Sequence, residues 1–150
     1  MSDLPSAHAS VGSHRVEVSV PLRTEFFATL RIMAASLGAD AGFSIDEIDD
    51  LRLAISEVVS SLTDVEGSPD DRVEAAFDLH GEGVTVTITT DRDGARIELD
   101  DLAATILGSV VDGYDVDGAT VTLTKLASEA ATTTVETATD STVEHTTPEA

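Results

Sequence analysis

Between Gly83 and Thr90, Val84, Val86 and Ile88 occupy every second position, with threonines between them. Successive strand side chains point to opposite faces, so this segment demands a sheet with its valines inward and its threonines outward. His14–Val20 repeats the alternation, with Val16, Val18 and Val20 on one face, and Pro21 stops it. Further strands are predicted at Arg72–Leu79, Ala95–Leu99 and Ala119–Leu126. His80-Gly81-Glu82-Gly83 and Asp91-Arg92-Asp93-Gly94 between them have turn composition.

The apolar period changes elsewhere. From Leu22 to Leu37, Phe26, Phe27, Leu30, Met33, Ala34 and Leu37 recur at helical spacing, with Gly38 and Gly42 at the exit. Ser44–Leu62 is the strongest helix, with Ile48, Leu51, Ile55, Val59 and Leu62 as its buried stripe. Ser44 and Glu47 have capping-box spacing, and Asp46 and Glu47 suit the positive end of the helix dipole. Thr63–Asp71 is a loop, and a last helix fits Leu102–Val111. The order β-α-α-β-β-β-α-β predicts an α+β two-layer sandwich: a mostly antiparallel sheet with three helices on one face.

Composition sets limits on this core. Of 150 residues 41% are hydrophobic but only 3% aromatic, so Val, Leu, Ile and Ala must fill the interior. The absence of cysteine excludes disulfides and thiolate metal sites. With no membrane-length apolar run and no secretory signal pattern, a cytoplasmic location is expected. Twenty-nine acidic residues against eight basic ones give a net charge of −21. Such a surface repels phosphate backbones and anionic membranes and attracts basic proteins; it also suits plain solubility or life in salt. Residues 1–13 are small and polar and are expected to be a flexible lead-in, with the folded domain at 14–126. Residues 127–150 hold eight threonines, five acids and no Lys or Arg, and are expected to be disordered.

The stretch Phe43–Leu62 resembles the ATP-binding helix of the anti-sigma regulatory factors, the serine-kinase branch of the gyrase-type and histidine-kinase-type ATPases. Gly118–Lys125 resembles their closing strand and Ile106–Asp112 their last helix. The resemblance implies a two-layer fold and a partner-switching role, in which members bind a sigma factor and phosphorylate an anti-anti-sigma protein with Mg-ATP. It implies a Glu base followed four residues later by a magnesium-holding Asn. Glu57 stands in the base position, and Ser61 replaces the Asn, one helical turn away on the same side. A hydroxyl is a poorer magnesium ligand than an amide oxygen. In the family's Asp-x-Gly-x-Gly loop the Asp binds adenine. Asp91 matches it, while Asp93 and Ala95 replace the glycines and Gly94 is left to supply one. No glycine-rich lid fits Asp100-Asp101-Leu102-Ala103-Ala104, and Ala119 stands where the last strand usually has Thr. The resemblance therefore implies a kept scaffold with degraded nucleotide motifs, and no cofactor unless the Mg-ATP site survives.

Other chemistry finds little support. Asp91–Gly94 and Asp115–Gly118 lack the first and twelfth ligands of a calcium loop and read as turns. His8, His14, His80 and His145 share no metal-ligand spacing, and no Ser-His-Asp arrangement can be nominated. Asp49-Asp50, Asp70-Asp71 and Asp100-Asp101 read as solvated helix starts and loops. The threonine-rich tail is also a candidate for phosphorylation. Three readings stay open: a non-catalytic binder of a sigma factor, an antagonist protein or a second copy; an active serine/threonine kinase using Glu57, Ser61 and Asp91; and an acidic structural domain.

Overall fold

A computed structural model of the chain describes residues 14–63, 68, 70–92 and 94–128. Strand β1 (His14–Pro21) leads through a 3-10 turn at Thr24–Phe26 into α1 (Phe27–Asp40) and then α2 (Ile45–Thr63). Strands β2 (Arg72–His80) and β3 (Gly83–Thr90) follow, then α3 (Asp101–Val110), β4 (Gly113–Asp117) and β5 (Thr120–Leu126). The five strands form one antiparallel sheet in the order β1-β2-β3-β5-β4. This is the α+β two-layer arrangement expected, with three helices. The flexible lead-in expected at 1–13, and the expected disordered tail from 129 onward, lie outside the described residues. Ala127 and Ser128, assigned to that tail, are still attached: Ala127 N donates to Glu82 O and Ser128 N to the Glu47 carboxylate.

The alternation of β3 is realised directly. Val84, Val86 and Ile88 are fully buried beside Val73, Ala75 and Phe77 of β2 and Val121 and Leu123 of β5. On the opposite face Thr85, Thr87 and Thr89 stand across from Thr124, Thr122 and Thr120. The helices cover the apolar face through Leu30 and Ala34 of α1, Leu51, Ile55, Val58 and Val59 of α2, and Leu107 of α3.

Two strand assignments change. Ala95–Leu99 is not a strand: Ile97 and Leu99 do pack on the core, but the segment's tie to the sheet is Ile97 N to Gly118 O at 2.8 Å. Alternation alone turned side chains the right way without a neighbour to pair with. Gly113–Asp117, read as loop and turn, is instead the edge strand β4, closed onto β5 by Gly118 at φ +62. Gly38 is not at a helix exit. It lies inside α1, where a Cβ would sit 3.0 Å from Phe43 Cδ2 and 3.2 Å from Ile48 Cγ1, so its absence allows α1 and α2 to approach.

Gly83 has a similar role at the β3–β5 crossing, where a Cβ would overlap the Lys125 carbonyl and meet Leu126 Cα at 2.8 Å. Backbone cannot yield as a side chain does. Gly83→Ala should therefore destabilise the fold by about 1–3 kcal/mol. Gly108, in the exposed part of α3 with open space around it, should gain about 0.5–1 kcal/mol on changing to Ala. Chemical denaturation of the two variants checks both signs.

Candidate functional site

Helix α2 carries the residues on which the nucleotide expectation rests. Its start is the predicted capping box: Glu47 N donates to Ser44 Oγ at 3.1 Å, and Ser44 N donates to Glu47 Oε1 at 2.8 Å. The buried stripe then holds the helix against the sheet and leaves Glu57 and Ser61 half-buried on its flank. The two do face the same way, but the Ser61 hydroxyl donates to the main-chain carbonyl of Glu57 at 3.0 Å. This back-bond one turn up the helix is a common local use of serine; it uses the hydroxyl proton and orients the oxygen along its own helix. The Glu57 carboxylate makes no hydrogen bond or ion pair with another described residue.

Asp91 and Gly94 lie where β3 leaves the sheet. Asp91 Oδ1 accepts from Arg72 N at 2.8 Å, and Asp91 N donates back to Arg72 O at 3.3 Å. Thr90 Oγ1 also donates to Arg72 O, at 3.0 Å. Asp91 thus fastens the exit of β3 to the entry of β2. Gly94 is exposed, at φ +69, in a turn closed by Ala95 N to Arg92 O at 3.2 Å. It fits there because the left-handed conformation favours glycine. The neighbouring Asp93 lies outside the described residues. From this turn the chain runs to Asp100, whose carboxylate caps α3 by accepting from Ala103 N at 2.7 Å.

Between these residues sits an interaction that sequence reasoning missed. Arg92 Nε donates to Asp71 Oδ2 at 2.8 Å and Arg92 Nη1 to the Leu62 carbonyl at 3.2 Å. Asp71 Oδ2 also accepts from Ser68 N at 2.9 Å. One guanidinium therefore joins the end of α2, the turn before β2 and the exit of β3. Both partners are largely covered, at 11% and 14% side-chain exposure, so Asp71 is not the solvated loop residue expected. Its twenty-one-residue separation from Arg92 gives no local signal. The bond from Arg92, with that from Ser68, holds the Asp71 carboxyl below its ordinary range against the opposing effect of burial. Asp50 is likewise engaged, by Lys125 Nζ at 3.3 Å, and Lys125 also donates to the Val110 carbonyl at the end of α3 at 2.9 Å.

A cavity of about 300 Å³ lies on the open face of the sheet over Ala76, between Glu17, Ser19, Glu74, Thr87 and Thr89. Glu57, Ser61, Asp91 and Gly94 do not line it. No group of three or more His, Asp or Glu among the described residues is placed to hold a metal ion. His80 Nε2 pairs with Thr85 Oγ1 at 3.1 Å, while His8 and His145 lie outside the described residues. No described helix is long and apolar enough to cross a membrane.

Fold and site together define a two-layer α+β domain whose second helix carries Glu57 half-buried on its flank and whose β3 exit is tied down by Arg72 and Arg92. No family model matches the chain. It is similar to the anti-sigma-F factor RsbW of Mycobacterium tuberculosis, 38% identical over 61 residues, which cover 41% of this chain and 36% of that protein. The serine-protein kinase RsbW of Bacillus cereus is 31% identical over 48 residues, covering 32% of this chain and 30% of the relative. That of Halalkalibacterium halodurans is 22% identical over 74 residues, covering 49% and 46%. The chain spans less than half the length of these relatives.

The Arg92–Asp71 pair makes a pH prediction. A carboxyl whose folded pKa is depressed contributes stability that is present above its unfolded pKa, about 3.9, and lost as pH falls through the folded value. Asp71→Asn should thus lower the denaturation midpoint at neutral pH, with the gap from wild type narrowing as pH drops below about 4. A gap independent of pH would exclude the ion pair as its cause.

Proposed function

We propose that this chain is a partner-switching anti-sigma regulator that works by binding a sigma factor, with an anti-anti-sigma protein as competing partner, and that it no longer uses ATP. The first part rests on the similarity to proteins named anti-sigma-F factor and serine-protein kinase. The second rests on the structural work that the candidate nucleotide residues do. The Ser61 hydroxyl donates to its own helix, Asp91 accepts from Arg72 N, and Gly94 serves an exposed turn. Phosphoryl transfer needs base, metal and phosphate cradle together, and Glu57 alone cannot supply them. The engagement of Asp91 by the Arg72 backbone is the observation that carries this reading, because it commits Oδ1 to joining two strands and holds the carboxylate at an exposed strand exit. The net charge of −21 speeds encounter with a basic partner face and opposes nucleic acid, and the proposed setting is the cytoplasm.

Two measurements on the full chain test this. Calorimetric titration with ATP and ADP, with and without magnesium, should show no binding tighter than about 100 μM, roughly −5.5 kcal/mol. Gel filtration with purified sigma factors of the same cell should yield a nucleotide-independent complex, with Glu57→Ala leaving its affinity within about twofold, under 0.5 kcal/mol. Tight Mg-ATP binding, with phosphate transfer abolished by Glu57→Ala, would establish the active-kinase reading instead. Failure to bind any sigma factor would remove the regulatory role.

A further inference from the structure

The sheet's last strand is bare. β4 lies outermost, beyond β5, and all five of its residues are exposed. Its orientation follows from the register. Thr90 N donates to Ala119 O at 3.3 Å, continuing the β3–β5 pairing of Thr89 with Thr120. Backbone groups of an antiparallel strand point alternately to either side. Ala119, Val121, Leu123 and Lys125 therefore bond toward β3, and Thr120, Thr122 and Thr124 toward β4. Their partners there are Asp117, Asp115 and Gly113. The N–H and C=O groups of Tyr114 and Val116 are left pointing away from the sheet.

The side chains of those two residues lie on the core face, opposite the fully buried Leu123 and Val121, yet they are 38% and 36% exposed. The apolar face thus extends one strand past its helical cover. On the other face of β4, Asp115 and Asp117 stand exposed. We propose that the β4 edge is a docking site for an extended, basic protein segment, added as a sixth strand. Tyr114 and Val116 would exchange main-chain hydrogen bonds with it. Its apolar residues would cover their side chains, and its Lys or Arg residues would alternate on the side of Asp115 and Asp117.

Charge selects this occupant over two others. A second copy paired along the same edge, with apolar residues together, brings Asp115 and Asp117 of both chains onto one face, where like charges oppose pairing. The chain's own residues 129–150 carry five acids and no Lys or Arg, so they meet the same repulsion. Edge strands are ordinarily guarded by lysine, proline or a bulge. The aspartates of β4 guard it against acidic strands while inviting basic ones.

The test uses the full chain and a fluorescein-labelled eight-residue peptide alternating Val and Lys, against a peptide of the same composition with its lysines and valines in blocks. Fluorescence anisotropy at about 0.15 M salt, where the Debye length is about 8 Å, weakens plain charge attraction. The alternating peptide should bind about tenfold tighter than the blocked one. Val116→Pro removes an outward N–H but none of the β4–β5 bonds, and should abolish that preference while circular dichroism is unchanged. Should proline disturb the fold, Asp115→Lys with Asp117→Lys, at exposed positions, should shift preference to an alternating Val and Glu peptide. Equal binding of the two residue orders, or no shift on charge reversal, would overturn the proposal. These readouts involve no sigma factor, so they can fail while the regulatory reading stands, and the reverse.

Discussion

The contact between the apolar face of the sheet and helix α2 carries the rest of the molecule. Leu51, Ile55, Val58 and Val59 lie at helical spacing and are fully buried with Phe77, Val84, Val86, Ile88, Val121 and Leu123 in one cluster. With so few aromatics, the core gains its burial from many branched aliphatic side chains, each worth about 1.5–3 kcal/mol when fully buried. Their stiff shapes also hold α2 in one rotation about its axis. That rotation decides which side of the helix is left half-buried, and so where Glu57 and Ser61 stand. The site is a by-product of the packing in this sense: any change in the stripe would re-aim both residues.

Polar ties then fix what the apolar seam leaves free. Arg92 gathers the end of α2, the Ser68–Asp71 turn and the exit of β3, and Lys125 gathers α2 and the end of α3. Both side chains are largely covered, so each ion pair carries a desolvation cost that backbone carbonyls help offset. Arg72 adds a third tie, to Ser19 of β1 through its side-chain and main-chain oxygens. These are the places where a single lost cation would strand a carboxylate or a helix end without its partner.

Features encoded over short distances were legible in the sequence, and those encoded across the fold were not. The Ser44–Glu47 box is a three-residue interaction and could be read at once. The valine–threonine alternation of β3 needs only its own period. By contrast Gly113-Tyr114-Asp115-Val116-Asp117 carries turn residues, and it becomes a strand because Val121 and Leu123 offer Val116 and Tyr114 partners. Ala95–Leu99 has the alternation of a strand but pairs with none, bonding instead through Ile97 N to Gly118 O. At the candidate site, helix geometry placed Glu57 and Ser61 on one side correctly. The role of Asp91 depends on Arg72, nineteen residues away, and that of Asp71 on Arg92; no local pattern announces either.

The same ties shape what the surface offers to others. Of the eight basic residues, Arg15, Arg23, Arg52, Arg92 and Lys125 pair with carboxylates, and Arg72 is held by Ser19. Cations are thus drawn into structural service, and the field projected outward is that of the unpaired acids. A uniform field steers partners toward the molecule but does not tell them where to stop. Position must come from unmet hydrogen-bonding groups or uncovered apolar surface within that field. β4 combines both, with outward backbone groups and exposed side chains at Tyr114 and Val116 between two aspartates. The carboxylate of Glu57, by comparison, adds charge without a geometry around it.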